Sequence, residues 1–378
     1  MKKFIFVINN MHIGGTRSSL LNLLRLFPYD EAEVDLYLLS DHGEYIDMID
    51  ERVNRVKTTW VSNAVYAKPS EISVVQKIYR GIIRLLRKII GEEKILTHVN
   101  RKIARKLSEN NYDISIAFSE GEPVNVAAEI SAQRKYAWIH NDYSNLTGVK
   151  AGFMSALEKL NNIFFVAEAA KMDFAKAYPC YENKLSIIRN TINFKDIENK
   201  ANTKLVDVEY KNDVINIVSV GRISKQKAFN RIPEIASQLR KFKFHWYIIG
   251  DGDQRSFVEE AIDKYQVSDL VTLCGAKSNP YPYIKQADLL VVTSLYESQP
   301  MVILEALSLK TPVISTNFSS AMELLCDQKY GVLCTNSVDG IFLALRECLN
   351  KKVLLEMKEE CRDFKYDNNA IVREVMKL

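Results

Sequence analysis

Short apolar runs alternate with stretches of helical period along the whole chain. In the first half the runs fall at Phe4–Ile8, Val34–Leu39, Ile114–Phe118, Tyr136–Ile139, Ile163–Val166 and Leu185–Ile188. In the second half they fall at Ile215–Val220, Trp246–Ile249, Val271–Cys274, Leu289–Thr293, Pro312–Thr316 and Gly331–Cys334. Runs this short and this apolar read as strands covered by helices on both faces, the pattern of parallel α/β layers. The pattern predicts two Rossmann-like domains facing across a cleft, over residues 1–195 and 214–363. Residues 196–213 are polar and lack a clear period, and read as a linker. The tail Phe364–Leu378 is helix-like, but its period does not place it in either domain. Ligands of open parallel sheets bind beyond the carboxyl ends of the strands. The loops that follow the strands are therefore where chemistry is sought.

Composition supports two ordinary cores: 378 residues, 47% of them hydrophobic and 26% charged, exclude a disordered chain or a disulfide-stapled mini-fold. The six cysteines (Cys180, Cys274, Cys326, Cys334, Cys348 and Cys361) form no CxxC pair and no metal-ligand spacing, which suits free thiols in a reducing compartment. The opening apolar run ends at Asn9-Asn10, too short for a signal sequence, and no apolar stretch is long enough to span a bilayer. A cytoplasmic protein is expected, peripheral on the inner face of the plasma membrane if its charge is used. The net charge of +4 hides an uneven distribution. Residues 77–106 hold ten Lys and Arg against Glu92 and Glu93, so this window is +8 and the rest of the chain is −4. Inside it Ile78, Ile82, Leu85, Leu86 and Ile89 recur at helical spacing among Arg80, Arg84, Arg87 and Lys88. Residues 75–107 thus read as a basic interfacial helix for an anionic membrane surface. The alternative is an amphipathic helix packed on its own domain with a solvated basic face. Without aromatic interleaving or a binding motif, nucleic acid is not an expected partner.

Three loops carry candidate chemistry. After the first strand comes Asn9-Asn10-Met11-His12-Ile13-Gly14-Gly15-Thr16-Arg17, then an apolar-periodic helix from Ser18 to about Phe27. Such a glycine turn lets backbone approach a ligand, and a helix start offers N–H groups to an anion. The alternative is simply a tight strand-to-helix turn. In the second half, strand Ile215–Val220 ends at Gly221, with Arg222 and Lys227 just beyond. A guanidinium fork and a point charge suit a diphosphate without a metal ion; the alternative is two solvated charges on a loop. The third loop, Ser294-Leu295-Tyr296-Glu297-Ser298-Gln299-Pro300-Met301-Val302, leads into a helix that carries Glu305. The amides of 298–302 are placed to bind sugar hydroxyls or phosphate oxygens, and a carboxylate at Glu305 is able to accept both hydroxyls of a ribose. Glu297 and Glu305 also have plain readings, an acidic first-turn residue and an exposed helix charge.

Glu297 and Glu305, with seven residues between them, followed by Ala306-Leu307 and Thr311-Pro312-Val313-Ile314, resemble the paired-glutamate motif of retaining glycosyltransferases of family 4. The preceding segment from Gly275 through Asn279 and Tyr281 to Ala287-Asp288 is similar to that of bacterial capsule and lipopolysaccharide transferases. Gly221-Arg222 with Lys227, Gly14-Gly15, and Asn190-Thr191-Ile192-Asn193 resemble further elements of that family, so the likeness runs through nearly the whole chain. It departs from the family at three places: Ser298-Gln299-Pro300 stands for the usual Gly-Phe-Pro, Ala228 for a glycine, and Arg17 for a common acidic residue.

The resemblance implies a GT-B architecture, with acceptor on the first domain, nucleotide sugar on the second, and the tail helix returning to the first domain. It implies that Arg222 and Lys227 hold the diphosphate and Glu305 the ribose, while Lys277 lies where the base is contacted. Glu297 and the backbone of Ser298, Gln299, Pro300, Met301 and Val302 would meet the sugar. The turn at Gly14 and Gly15 would face the diphosphate, and His140, in Trp138-Ile139-His140-Asn141-Asp142, would approach the donor sugar. The expected activity is a metal-independent, retaining transfer of a hexosyl or N-acetylhexosaminyl group from a UDP-sugar to a lipid-linked glycan in surface polysaccharide synthesis. As the glycosidic bond breaks, charge grows on the diphosphate, where cations stabilise it. The alternatives are a non-catalytic GT-B partner subunit that binds acceptor for a true transferase, and a GT-B nucleotide-sugar epimerase.

Overall fold

The computed structural model describes residues 1–140, 153–205, 208–325 and 330–378. Asn141, Asp142 and Cys326 lie outside the described residues, as do two positions of the expected linker, Val206 and Asp207. The chain divides into two compact units, Met1–Thr191 with Asp367–Leu378, and Ile192–Tyr366.

The first unit is built on a parallel sheet of seven strands: β1 (Lys2–Ile8), β2 (Ala32–Leu38), β3 (Asn54–Val56), β4 (Tyr112–Ala117), β5 (Ala132–Ile139), β6 (Asn162–Phe165) and β7 (Leu185–Ile187). Their order in space is β3-β2-β1-β4-β5-β6-β7. β1 is an interior strand, with Phe6 in register with Leu36 of β2 on one side and Ile116 of β4 on the other. From Phe4 to Ile8 it is wholly buried, as an all-apolar run sandwiched between helices should be. Helices α1 (Gly15–Leu26), α2 (Trp60–Tyr66), α3 (Val74–Ile90) and α4 (Glu92–Leu107) precede β4.

The second unit has a parallel sheet of six strands: β8 (Ile215–Val220), β9 (Phe244–Ile249), β10 (Val271–Leu273), β11 (Leu289–Val292), β12 (Val313–Thr316) and β13 (Gly331–Cys334). Their order is β10-β9-β8-β11-β12-β13, so the direction of travel reverses between β8 and β11. That reversal is the topological switch point at which open α/β sheets hold ligands. In the first sheet it falls between β1 and β4.

Two boundary expectations are corrected. The expected linker 196–213 is not a linker at its start, because Phe194–Ala201 is a helix with Ile197 and Ala201 buried in the second unit's core. Asn193 caps it, accepting from the Asp196 N–H at 3.0 Å. The tail is split rather than moving as one piece: Phe364 to Tyr366 stay with the second unit, and the helix Asn368–Met376 belongs to the first. There the Lys2 ammonium donates to the Met376 carbonyl at 2.7 Å. Cys334, Cys348 and Cys361 are buried free thiols, whereas Cys180 is exposed. Among the described residues no helix is long and apolar enough to cross a membrane.

Candidate active site

The loops after β8 and β11 flank the second switch point, and they carry most of the sequence-selected residues. The first loop is shaped by close backbone contact with its neighbour. A Cβ on Gly250, just after β9, would lie 1.9 Å from the Gly221 carbonyl oxygen, and Gly250 has φ of +155°. A Cβ on Gly252 would lie 2.2 Å from the Ile223 carbonyl oxygen. The Ile223 N–H donates to Asp251 at 2.9 Å, and the Gln254 N–H to Ile223 at 3.0 Å. The Gly250-Asp251-Gly252-Asp253 turn therefore braces the Gly221–Lys227 loop. Sequence reasoning passed over this turn, although two glycines directly after a strand are a signal of close approach.

Lys227 is fixed at both ends. Its carbonyl accepts from the Thr293 hydroxyl at 2.7 Å, and its ammonium donates to the Glu297 carboxylate at 2.7 Å. Both side chains are largely buried, 17% and 10% exposed. The same carboxylate oxygen accepts from the Ser294 hydroxyl at 2.6 Å. Glu297 lies in the loop, four residues before the helix Met301–Ser308, whose first turn holds no acidic residue. The reading of Glu297 as an ordinary first-turn carboxylate is thereby displaced. Its loop is held from three sides. Thr316 Oγ1 donates to the Ser294 carbonyl, Ser320 Oγ to the Glu297 carbonyl, each at 2.6 Å, and Asn336 Nδ2 to the Leu295 carbonyl at 2.9 Å. Gln226 ties the two loops together, accepting from the Leu295 N–H at 2.8 Å and donating to the Tyr296 carbonyl at 2.9 Å.

Glu305 sits inside the Met301–Ser308 helix, with Val302, Ala306 and Leu309 buried as expected. Burial raises its carboxyl to about 7, opposed by the nearby Lys227 charge and a hydrogen bond with Tyr281. The plain reading of an exposed helix charge does not hold. Gln299 donates to the Tyr366 hydroxyl at 3.1 Å, and Pro300 occupies the N-cap. Lys277 is half-buried, two residues beyond Gly275, whose carbonyl accepts from the Gly250 N–H at 2.9 Å. Arg222 is not gathered with Lys227: its side chain is 76% exposed and lies 3.5 Å from Asp253. Ala228, where the family resemblance expects glycine, has φ of 52° and ψ of 37°, the left-handed region that favours glycine.

In the first unit, Gly14 caps α1 and Gly15 begins it, so the helix starts three residues earlier than its apolar period suggests. No atom lies within 4 Å of a Cβ placed on Gly15, and the first turn holds no acidic residue. The turn is open to an anion. Arg17 folds back, donating to the Asn10 carbonyl and to Asn10 Oδ1, each at 3.3 Å. His140, after β5, is buried between Phe118 and Trp138, with ring centroids 4.5 and 5.8 Å away. Its Nδ1 lies 3.1 Å from the Trp138 carbonyl oxygen, which only accepts, so the proton of the neutral ring is on Nδ1. Burial lowers the imidazole to about 4 against the opposing pull of Glu120, leaving Nε2 as an acceptor at neutral pH. A further cluster in this unit joins residues far apart in sequence. His12 lies between Glu44, at 3.1 Å, and Glu71, at 3.0 Å, where Gly43 brings the loop after β2 against Met11.

With this geometry in place, comparison with known families decides the second unit. Residues 203–368 match the family Glycosyl transferases group 1. This stretch is a group 1 glycosyltransferase domain. Its Lys227, Glu297 and Glu305 lie in the two loops at the switch point and in the helix that follows. An uncharacterized glycosyltransferase of Methanocaldococcus jannaschii is 29% identical over 206 residues, so the match spans about half of each protein, 48% of both. The N-acetylgalactosamine-N,N'-diacetylbacillosaminyl-diphospho-undecaprenol 4-alpha-N-acetylgalactosaminyltransferase of Campylobacter jejuni is 23% identical over 387 residues, covering 100% of this chain and 99% of that one. Among solved structures, Anabaena HepE in complex with UDP and glucose superposes with a TM-score of 0.72 at 17% identity, over 100% of this chain and 99% of that one. The transferase domain and the unit before it thus share the fold of GT-B glycosyltransferases.

Proposed function

We propose that this chain transfers a sugar, with retention, from a UDP-sugar to a lipid-linked glycan during surface polysaccharide assembly. The observation that carries the reading is the Lys227–Glu297 pair with Glu305 beside it, at the switch point of a group 1 domain. Lys227, and Arg222 once released from Asp253, take the diphosphate without a metal ion. Glu305, ionised, takes the ribose, Lys277 lies toward the base, and Glu297 with the backbone of 298–302 meets the sugar. In the first unit, Gly14 and Gly15 at the start of α1 are assigned to the diphosphate, and the acceptor nitrogen of His140 to the donor sugar. The bond from the anomeric carbon to the diphosphate breaks, and the acceptor hydroxyl oxygen bonds that carbon on the same face. Its proton passes to the departing phosphate oxygen, while the cations stabilise the charge that grows there. Support for a lipid-linked acceptor comes from the full-length Campylobacter relative, named for a diphospho-undecaprenol substrate. Support for a uridine donor comes from the HepE complex, which holds UDP and glucose.

A thermal-shift screen of UDP-, GDP- and ADP-sugars tests the donor site, because a ligand that binds only the folded state raises the unfolding midpoint. UDP-sugars are expected to raise it. A screen in which no nucleotide sugar moves the midpoint contradicts the proposal and favours a non-catalytic partner subunit.

A further inference from the structure

Helix α3 is amphipathic in the wrong sense for a helix that covers a core. Its inward face carries Gln76, Arg80 and Ile83, all buried, and Arg80 donates to the Ala64 and Ala67 carbonyls near the end of α2. Ser73 and Gln76 close a capping box at its start, and Gln76 also donates to the Trp60 carbonyl. The aliphatic stripe points the other way. Ile78, Ile82, Leu85 and Ile89 are 61%, 52%, 57% and 71% exposed, and Val74 and Val75 continue the ridge. Positions 78, 82, 85 and 89 follow the spacing of a single helical face, so these side chains form one continuous apolar strip. A strip of this size outside a core marks an interaction surface.

Charge and aromatic residues border the strip. Lys77, Arg84 and Lys88 lie seven and four residues apart, which lines them along one edge, and all three are exposed. On the other edge Tyr79 packs against the half-exposed Trp60 at 5.1 Å between ring centroids. No acidic residue occurs in α3, and Glu92, just after it, is already paired with Arg87. α4 adds Lys94, Lys102, Arg105 and Lys106, all exposed. An aliphatic strip edged by long cations and by Trp and Tyr fits the boundary between headgroups and acyl chains: cations reach phosphates while the strip enters the hydrocarbon. A second copy of this chain fits poorly, since it would set one +8 segment against another.

We infer that the outer face of α3, from Val74 to Ile89 with Lys77, Arg84 and Lys88, docks the chain on an anionic lipid bilayer. The inference is independent of the transferase reading, and its test uses no activity. The test is flotation of the full chain with phosphatidylcholine vesicles, pure or containing about a third phosphatidylglycerol. The chain is expected to float with the anionic vesicles and not with the neutral ones. Replacing Ile78, Ile82 and Leu85 together by serine should lower anionic binding at least about tenfold, with the unfolding midpoint unchanged because these side chains are exposed. Replacing Lys77, Arg84 and Lys88 together by glutamine should lower it by about a hundredfold, at roughly fivefold per charge. Three results overturn the inference: no flotation of wild type with anionic vesicles, wild-type flotation by both variants, or a wild-type dimer in solution that the serine variant abolishes while neither binds vesicles.

Discussion

Glu297 pairs with the ammonium that the proposed reaction needs. If Lys227 holds the diphosphate, phosphate oxygens compete with Glu297 for its ammonium, and Glu297→Gln should tighten binding of UDP. Exposed ion pairs contribute up to about 1 kcal/mol. This one is largely buried, with a second hydrogen bond from Ser294, so about 1–2 kcal/mol is a reasonable net value. That corresponds to a gain of about 5- to 30-fold in affinity. Removing the carboxylate also removes its repulsion of phosphate, which works in the same direction. Stability should move the other way, because the variant leaves the Lys227 ammonium largely buried beside a neutral amide. Calorimetric titration of UDP into wild type and variant, beside thermal unfolding of both, reads the two signs separately. Transfer should fall at least about tenfold, since Glu297 is assigned to the sugar. UDP affinity that is unchanged or weaker in Glu297→Gln would refute the competition and with it the placement of phosphate at Lys227.

Three further outcomes are expected. The Glu305 carboxyl is raised to about 7 from 4.5, so the unfolded chain loses the proton first. Its contribution makes stability fall as pH climbs from about 4.5 to about 7 and then level off; Glu305→Gln, measured against wild type by urea unfolding, should remove up to about 3 kcal/mol of that slope, and donor affinity should rise through pH 7 in wild type only. His140, lowered to about 4, contributes in the opposite sense, its stabilisation being lost as pH falls from about 6.5 toward 4. Long-range proton–nitrogen spectra should show a neutral ring protonated on Nδ1 at pH 6, and an imidazolium there would contradict its buried geometry. Gly250→Ala forces a Cβ to 1.9 Å from the Gly221 carbonyl oxygen at positive φ and should cost about 3 kcal/mol or more in urea unfolding.

Strands were legible in the sequence wherever burial on both faces left an unbroken apolar run, as in β1, β8 and β11. The edge strand β3, Asn-Arg-Val, was not, because it pairs on one side only and buries almost nothing. Phe194–Ala201 was hidden for a related reason: only one face of a short helix is buried, so polar residues dominate the window. At the site, Lys227, Glu297 and Glu305 were legible because strand ends and helix starts fix their positions. Their partners were not, since Ser294, Thr316, Ser320 and Asn336 meet only through the register of β11, β12 and β13. The Gly250–Asp253 brace depends on contact between two neighbouring loops, which spacing along the chain does not encode. For α3, sequence periodicity showed an apolar stripe beside basic residues. Which side faced the protein was decided by Arg80, whose guanidinium satisfies two carbonyls of the α2 end and turns the aliphatic side outward.

Lys227 is assigned to carry the leaving diphosphate. Initial rates of sugar release or transfer from the matching UDP-sugar by wild type and Lys227→Ala test it directly, with thermal unfolding confirming that both are folded. The expected result is a loss of at least about tenfold in the variant, since removing one donor to the developing charge typically costs that much or more. Equal turnover in the folded variant and the wild type would contradict the claim.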